Sequence, residues 1–110
     1  MITFKKGVDP SGLRDKILLA LTVIDPVFHK RGVDTVVTST TGDKHVLYSA
    51  HWRGDAVDIR SRNLKDEKTK IIVLDELQDK LGEDYSVGWH SRNHRWNQHY
   101  HIAWKPLKGK

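Results

Sequence analysis

The sequence predicts an α+β fold, a small antiparallel sheet of about four strands with two helices packed on one face, on three observations. Apolar residues recur at three- and four-residue steps in two stretches, 13–28 and 64–81, the spacing of one buried helix face. Short β-branched or alternating runs lie between and after them, bounded by turn-forming residues. The chain has 110 residues, 37% hydrophobic and 30% charged. That composition suits one globular domain with a modest core, so residues 1–110 are expected to form a single unit without repeats or linkers.

Asp9-Pro10 reads as the start of the first helix, an N-cap carboxylate followed by proline where its missing N–H costs nothing. Leu13, Ile17, Leu21, Ile24 and Phe28 supply its apolar face. Pro26 should kink or end it, giving a helix over about 10–25 or one running a further turn to Lys30. Residues 34–40 are β-branched and read as a strand. Thr41-Gly42-Asp43-Lys44 is turn chemistry, and 45–53 reads as a loop with a helical turn.

Residues 56–60 form a second expected strand, with Ala56, Asp58 and Arg60 on one face and Val57 and Ile59 on the other. Asn63 is the expected cap of the second helix. Leu64, Ile71, Leu74, Leu77 or Gln78, and Leu81 form its apolar face, and Gly82 closes it. Asp66/Lys70 and Glu76/Lys80 are spaced as i,i+4 ion pairs. Residues 85–89 make a third strand, and 90–97 a polar loop. Residues 98–104 make a fourth, with Tyr100, Ile102 and Trp104 on one face and His99 and His101 on the other.

Cysteine is absent, which excludes disulfides, thiolate catalysis and Cys-containing zinc fingers. Seven histidines are present, six of them at or after position 45. A metal site in this chain must therefore be built from imidazole and carboxylate. The formal net charge of +5 favours an anionic partner, whether nucleic acid, an acidic surface or an anionic polymer such as a bacterial wall, and charge alone does not choose among them. No apolar run approaches the roughly 20 residues that span a bilayer, so no membrane partner is expected. No signal peptide is read at the N-terminus, so synthesis in the cytoplasm is expected.

Two segments carry the chemistry: Ser49-Ala50-His51-Trp52-Arg53-Gly54-Asp55-Ala56-Val57-Asp58 and Gln98-His99-Tyr100-His101. His51 precedes a strand that contains Asp58, and Gly54 permits a tight turn that folds the imidazole back toward the carboxylate. His99 and His101, two apart on a strand, point to the same face. If the last strand lies beside 56–60, that face gathers His51, Asp58, His99 and His101. Three of these four make a plausible zinc set that leaves a coordination position open for water.

The string Ser-x-His-x-x-Gly-x-Ala-x-Asp at 49–58 resembles the signature of the zinc peptidase family of D-alanyl-D-alanine carboxypeptidases and L-alanyl-D-glutamate endopeptidases. Thr38-Ser39, Gly42-Asp-Lys-His45, Asp58-Ile-Arg60 and 81–87 followed by a His-x-His strand resemble a small phage-encoded branch of it, over about 35–104. The resemblance implies a core shared with lysostaphin-type peptidases and the hedgehog domain. It implies Zn2+ held by His51, Asp58 and His101, with Ser49 supporting the site and His45 or Arg60 touching substrate. The expected activity is hydrolysis of a peptide bond in bacterial peptidoglycan, as in an endolysin, with stem peptides as the substrate. The expected protein is a monomer that reaches the wall after release from the cell.

The sequence departs from this family at the general base. The family places an acid three positions before the last histidine ligand, where this chain has Gln98, which takes up no proton at neutral pH. Phage relatives often carry a glutamate near the end of the strand at 85, where this chain reads Gly88-Trp89-His90. In the lysostaphin-type relatives the first histidine of His-x-His assists catalysis together with another histidine, so the resemblance implies His99, with His90 or His94, as the replacement, and imidazole can act as a base at neutral pH. The alternative is a catalytically inactive relative that binds wall peptides or a partner protein. A third reading, a phage-type His-metal nuclease, rests on the basic charge and on the run from His94 to His101, but leaves 49–58 unexplained, so nucleic acid is not the expected partner. Trp104 is assigned to the core, and Trp52, Trp89 and Trp96 to either the core or a substrate groove. The basic and aromatic segment 92–97 reads as a solvated loop or as one that holds an anionic substrate.

Overall fold

In the computed structural model, residues 1–40, 55–90 and 98–105 are described, His90 by its backbone alone. Their order is β1 (Ile2–Phe4), α1 (Asp15–His29), β2 (Thr35–Ser39), β3 (Ala56–Arg60), α2 (Glu67–Leu81), β4 (Tyr85–His90) and β5 (His99–Trp104). The strands form one sheet in the order β1-β2-β3-β5-β4. The α+β class is as expected, but the sheet has five strands instead of about four. It is mixed instead of wholly antiparallel, because β1 runs parallel to β2. A three-residue strand is too short to show alternation, so β1 left no sequence signal. Its place comes from long-range backbone bonds, Thr35 N–H to Met1 O (2.9 Å) and Lys5 N–H to Val37 O (2.9 Å).

The first helix begins five residues later than Pro10. Asp9 Oδ1 accepts from Ser11 N–H at 2.9 Å, closing a local turn instead of capping a helix. Gly12 then takes φ 86°, a left-handed conformation that interrupts helical geometry. Arg14 becomes the N-cap without a side-chain bond, and Asp15 places its charge in the first turn. Pro26 lies inside the helix and does not end it. The turn beyond it is held by burial of Val27 and Phe28 and by the bond from Lys30 N–H to Pro26 O.

The second helix is capped by Asp66, whose carboxylate accepts from Thr69 N–H at 2.8 Å. Asn63, the expected cap, instead donates to Asp34 O at 3.0 Å and ties the approach to β2. The buried helical positions are Val73 and Leu77, with Leu74 and Leu81 packed at the edge. Ile71 is 46% exposed, and Leu64 is buried from the turn before the helix. Gly82 ends the helix at φ 87°, as expected. The Gln78 amide fastens that end to β4 by donating to Gly82 O and Tyr85 O.

The expected i,i+4 pairs yield to tertiary partners. Asp66 serves as the cap, and Lys70 Nζ donates to Gln98 Oε1 at 2.6 Å. Glu76 pairs across the helix interface with Lys30 and Arg31, the latter at 2.9 Å. Burial raises the Glu76 carboxyl pKa, but these two cations outweigh it and hold the group below its ordinary value of 4.5. A carboxyl depressed in the folded state stabilises above its unfolded pKa and loses that contribution as pH falls through the folded value. Glu76→Gln should therefore cost roughly 1.5–3 kcal/mol at pH 7. In urea unfolding, the gap between variant and native protein should close as pH is lowered from neutrality toward 3; a gap constant with pH would refute the pairing.

The core lies between the helices and one face of the sheet, joining Ile17, Leu21, Ile24, Phe28, Val73 and Leu77 to Val37, Val57, Ile59, Tyr100 and Ile102. Tyr100 is fully buried, meets Phe28 edge to face with centroids 6.1 Å apart, and donates its hydroxyl to Lys70 O at 2.6 Å. Trp104 packs against this core as expected. Trp89 joins it too, its indole N–H donating to Ser61 Oγ at 2.9 Å. Trp52 and Trp96 lie outside the described residues.

Candidate functional site

Alternation along β3 and β5 turns Val57, Ile59, Tyr100 and Ile102 toward the helices, and so Asp58, Arg60, His99 and His101 to the opposite face. The register makes these residues neighbours. Asp58 lies opposite His101 and Arg60 opposite His99. On the other side of β5, Gly88 lies opposite His101, where it adds no side chain, and His90 occupies the register position opposite His99.

Asp58 is the centre of the group. It is 8% exposed, and its Oδ1 lies 2.9 Å from His101 Nδ1. Its Oδ2 lies 3.9 Å from His99 Nε2. Both imidazoles are partly open to solvent. In the hydrogen-bonded form His101 Nδ1–H donates to the carboxylate and Nε2 is the basic nitrogen. When Nδ1 is deprotonated, the same two atoms are an imidazole and a carboxylate donor side by side, the chemistry zinc takes. The described part of the expected ligand set therefore fits a zinc ion. Among the described residues no group of three His, Asp or Glu side chains is arranged to hold a metal. The third expected ligand, His51, lies outside the described residues, as do Ser49, His45 and His94.

Gln98 is turned toward α2, where its Oε1 accepts from Lys70, while its backbone carbonyl accepts from Ser61 N–H. Its side-chain amide is thus tied to the helical layer, and His99 is the described side chain with proton-transfer chemistry beside the Asp58–His101 pair.

A cleft of about 280 Å3 opens beside the pair, lined by Lys5, Thr38, Ser39, Asp58, Arg60, Arg62, Gln98 and His99. Arg60, the expected substrate contact, lies in its wall. Burial, with Arg62 nearby, holds the Arg60 guanidinium below its usual pKa. The register between β2 and β3 shifts between Val37 and Ser39, and this irregularity sets Ser39 opposite Asp58. Thr38 and Ser39 were part of the family resemblance, without an assigned role. Lys5 and Arg62 were missed. Lys5 reaches the cleft only through β1, and Arg62 lies just beyond β3, so no spacing rule links either to Asp58.

No described helix is long and apolar enough to cross a membrane. Compared with protein-family models, curated proteins and solved structures, the chain finds no match in any of the three.

Proposed function

We propose that this chain is a zinc-dependent metallopeptidase that hydrolyses a peptide bond in bacterial peptidoglycan, with zinc held by His51, Asp58 and His101. The observation that carries this reading is the convergence of Asp58, His101 and His99 on the sheet face away from the helices, next to an open cleft. The 49–58 string supplies the third ligand and the reaction class. When bound, zinc supplies Lewis-acid polarisation of the scissile carbonyl and a water acidified toward a pKa of about 7.

The chain's own residues have distinct parts in this reading. Asp58 neutralises charge at the ion and fixes the His101 ring. His99, half-exposed on the same face, takes the proton from the attacking water and returns it to the leaving amine, with His90 or His94 as its helper. Arg60 holds substrate at the cleft wall.

Metal analysis and lysis of purified cell walls, on native protein and His51→Ala, test the proposal. One zinc per chain and release of new amino groups are expected for the native protein, and loss of both for the variant. Stoichiometric zinc without wall cleavage would remove the enzymatic reading. That outcome belongs to a second reading, a binding relative of the same fold, favoured by the engagement of Gln98 with Lys70 where the family carries an acid. Wall pull-down without new amino groups would support it.

A further inference from the structure

We propose that the outer edge of β4 docks a short extended peptide as an added strand, over a three-residue stretch that Gln78 brings to an end. The hydrogen-bond alternation of the sheet defines this edge. Trp104 N–H donates to Asp55 O, and Gln98 O accepts from Ser61 N–H, so Gln98, Tyr100, Ile102 and Trp104 turn their backbone groups toward β3. Tyr85, Val87 and Trp89 lie opposite Trp104, Ile102 and Tyr100. Their N–H and C=O groups therefore point away from β5, to the outside of the sheet, where β4 is the last strand. At the Tyr85 end the edge is already filled. Gln78 reaches it from α2, its Nε2 donating to Tyr85 O at 2.9 Å and its Oε1 accepting from Val87 N–H at 3.3 Å. The side-chain amide makes the two bonds that a neighbouring strand would make there. Among the described residues Val87 O, Trp89 N–H and Trp89 O have no such partner.

An acceptor, a donor and an acceptor in that order match three consecutive residues of an extended chain. Run in either direction, the first residue uses its N–H and C=O and the third its N–H, while the second turns its groups outward. A further bond, to Val87 N–H, is closed by Gln78, so the stretch ends there. The open end of the edge lies beside the candidate site. Trp89 adjoins His90, the register partner of His99, and Gly88 lies opposite His101. Val87 and Trp89 pack on the core, which leaves Gly88 on the face of the Asp58–His101 pair. A glycine within a strand often marks a place where another backbone comes close. Adjacent strands lie about 4.8 Å apart, so a docked peptide lies about 10 Å from β5, and no side chain at position 88 stands between them. A second copy of the chain fits less well, because each copy would bring its own plugged half to the contact; a short free peptide has no plug. The inference rests on the proposed function only in taking the ligand to be a peptide, and it deepens that reading by naming where the peptide docks.

The test is an NMR titration of the full chain with acetyl-trialanine methyl ester, following the backbone N–H signal of Trp89. That signal is expected to shift and saturate. N-methylation of the first or third alanine should weaken binding about fivefold or more, the worth of one hydrogen bond, and N-methylation of the second should change it less than about twofold. Gln78→Ala, at an exposed helical position, frees Tyr85 O and Val87 N–H. Acetyl-pentaalanine methyl ester should bind that variant about fivefold tighter than native protein, while the trialanine ester binds both alike within about twofold. Shifts elsewhere with Trp89 unmoved, equal loss from all three N-methyl groups, or no binding up to about 20 mM would overturn the docking edge. A Trp89 shift that grows with protein concentration in the absence of peptide would overturn the peptide and give the edge to a second copy. Docking without wall hydrolysis would remove the peptidase reading and leave the edge. Wall hydrolysis without docking at Trp89 would do the reverse.

Discussion

Asp58→Asn is expected to lower zinc affinity by more than ~100-fold and to stop wall hydrolysis, because loss of an outer partner of a metal ligand alone costs roughly 10–100-fold. Asparagine keeps the size of the side chain and an oxygen to accept from His101, so the fold should persist. In the proposed site it removes the negative charge that a zinc ion would meet and replaces a carboxylate donor with a weakly donating amide. Asp58 is 8% exposed, so solvent does little to screen that change. His101→Ala should match it in metal loss, since in the proposed site His101 is a ligand next to Asp58, 2.9 Å away. Chelator competition against a zinc indicator gives the affinities, and circular dichroism checks the fold. Zinc affinity should also fall in the native protein in acid, where protons compete with the metal for its ligands. Native-like zinc affinity in a folded Asp58→Asn protein would refute the assignment of this carboxylate.

Phe28→Ala is expected to be the most damaging core substitution, at about 3–5 kcal/mol. Phe28 is fully buried at the end of α1 and meets Tyr100, the largest buried side chain of the central sheet, edge to face. Truncation leaves a cavity between the helices and β5, and α1 is held there by the turn beyond Pro26. Domains of this size have a total stability of about 5–15 kcal/mol, so the variant should melt more than ~12 °C lower and be partly unfolded at physiological temperature. Leu19→Ala is the control. Leu19 lies on the same helix but is 58% exposed, and its loss should stay within about 0.5 kcal/mol. Thermal unfolding followed by circular dichroism reads both, and equal melting temperatures for the two variants would contradict the packing described.

The strands that bear the site were legible because their signals are strictly local. Alternation at 56–60 and 98–104 is visible residue by residue, and the structure places both strands over nearly those spans, with the two faces as read. The apolar face of α1 was legible for the same reason. The helix starts were not. Asp9 and Asn63 both have capping chemistry, and each spends it on another partner, Ser11 N–H for one and Asp34 O for the other. The ion pairs failed similarly. Glu76 has Lys80 one turn away, but Lys30 and Arg31 reach it from just beyond the end of α1. A local pair worth a few tenths of a kcal/mol does not compete with a part-buried pair between helices.

The candidate site divides along the same line. By itself, the sequence determined that any metal here must be held by imidazole and carboxylate, because it contains no cysteine. It also determined that His99 and His101 share a face, because side chains on a strand repeat every two residues. The meeting of Asp58 with His101 was conditional on β3 pairing with β5, and 38 residues separate the two strands; only tertiary structure set that neighbour and its register. The cationic cleft was decided by tertiary structure altogether. Lys5 enters it just after a three-residue strand whose parallel pairing with β2 no local pattern encodes, since such a strand exists only by the backbone bonds its neighbour supplies.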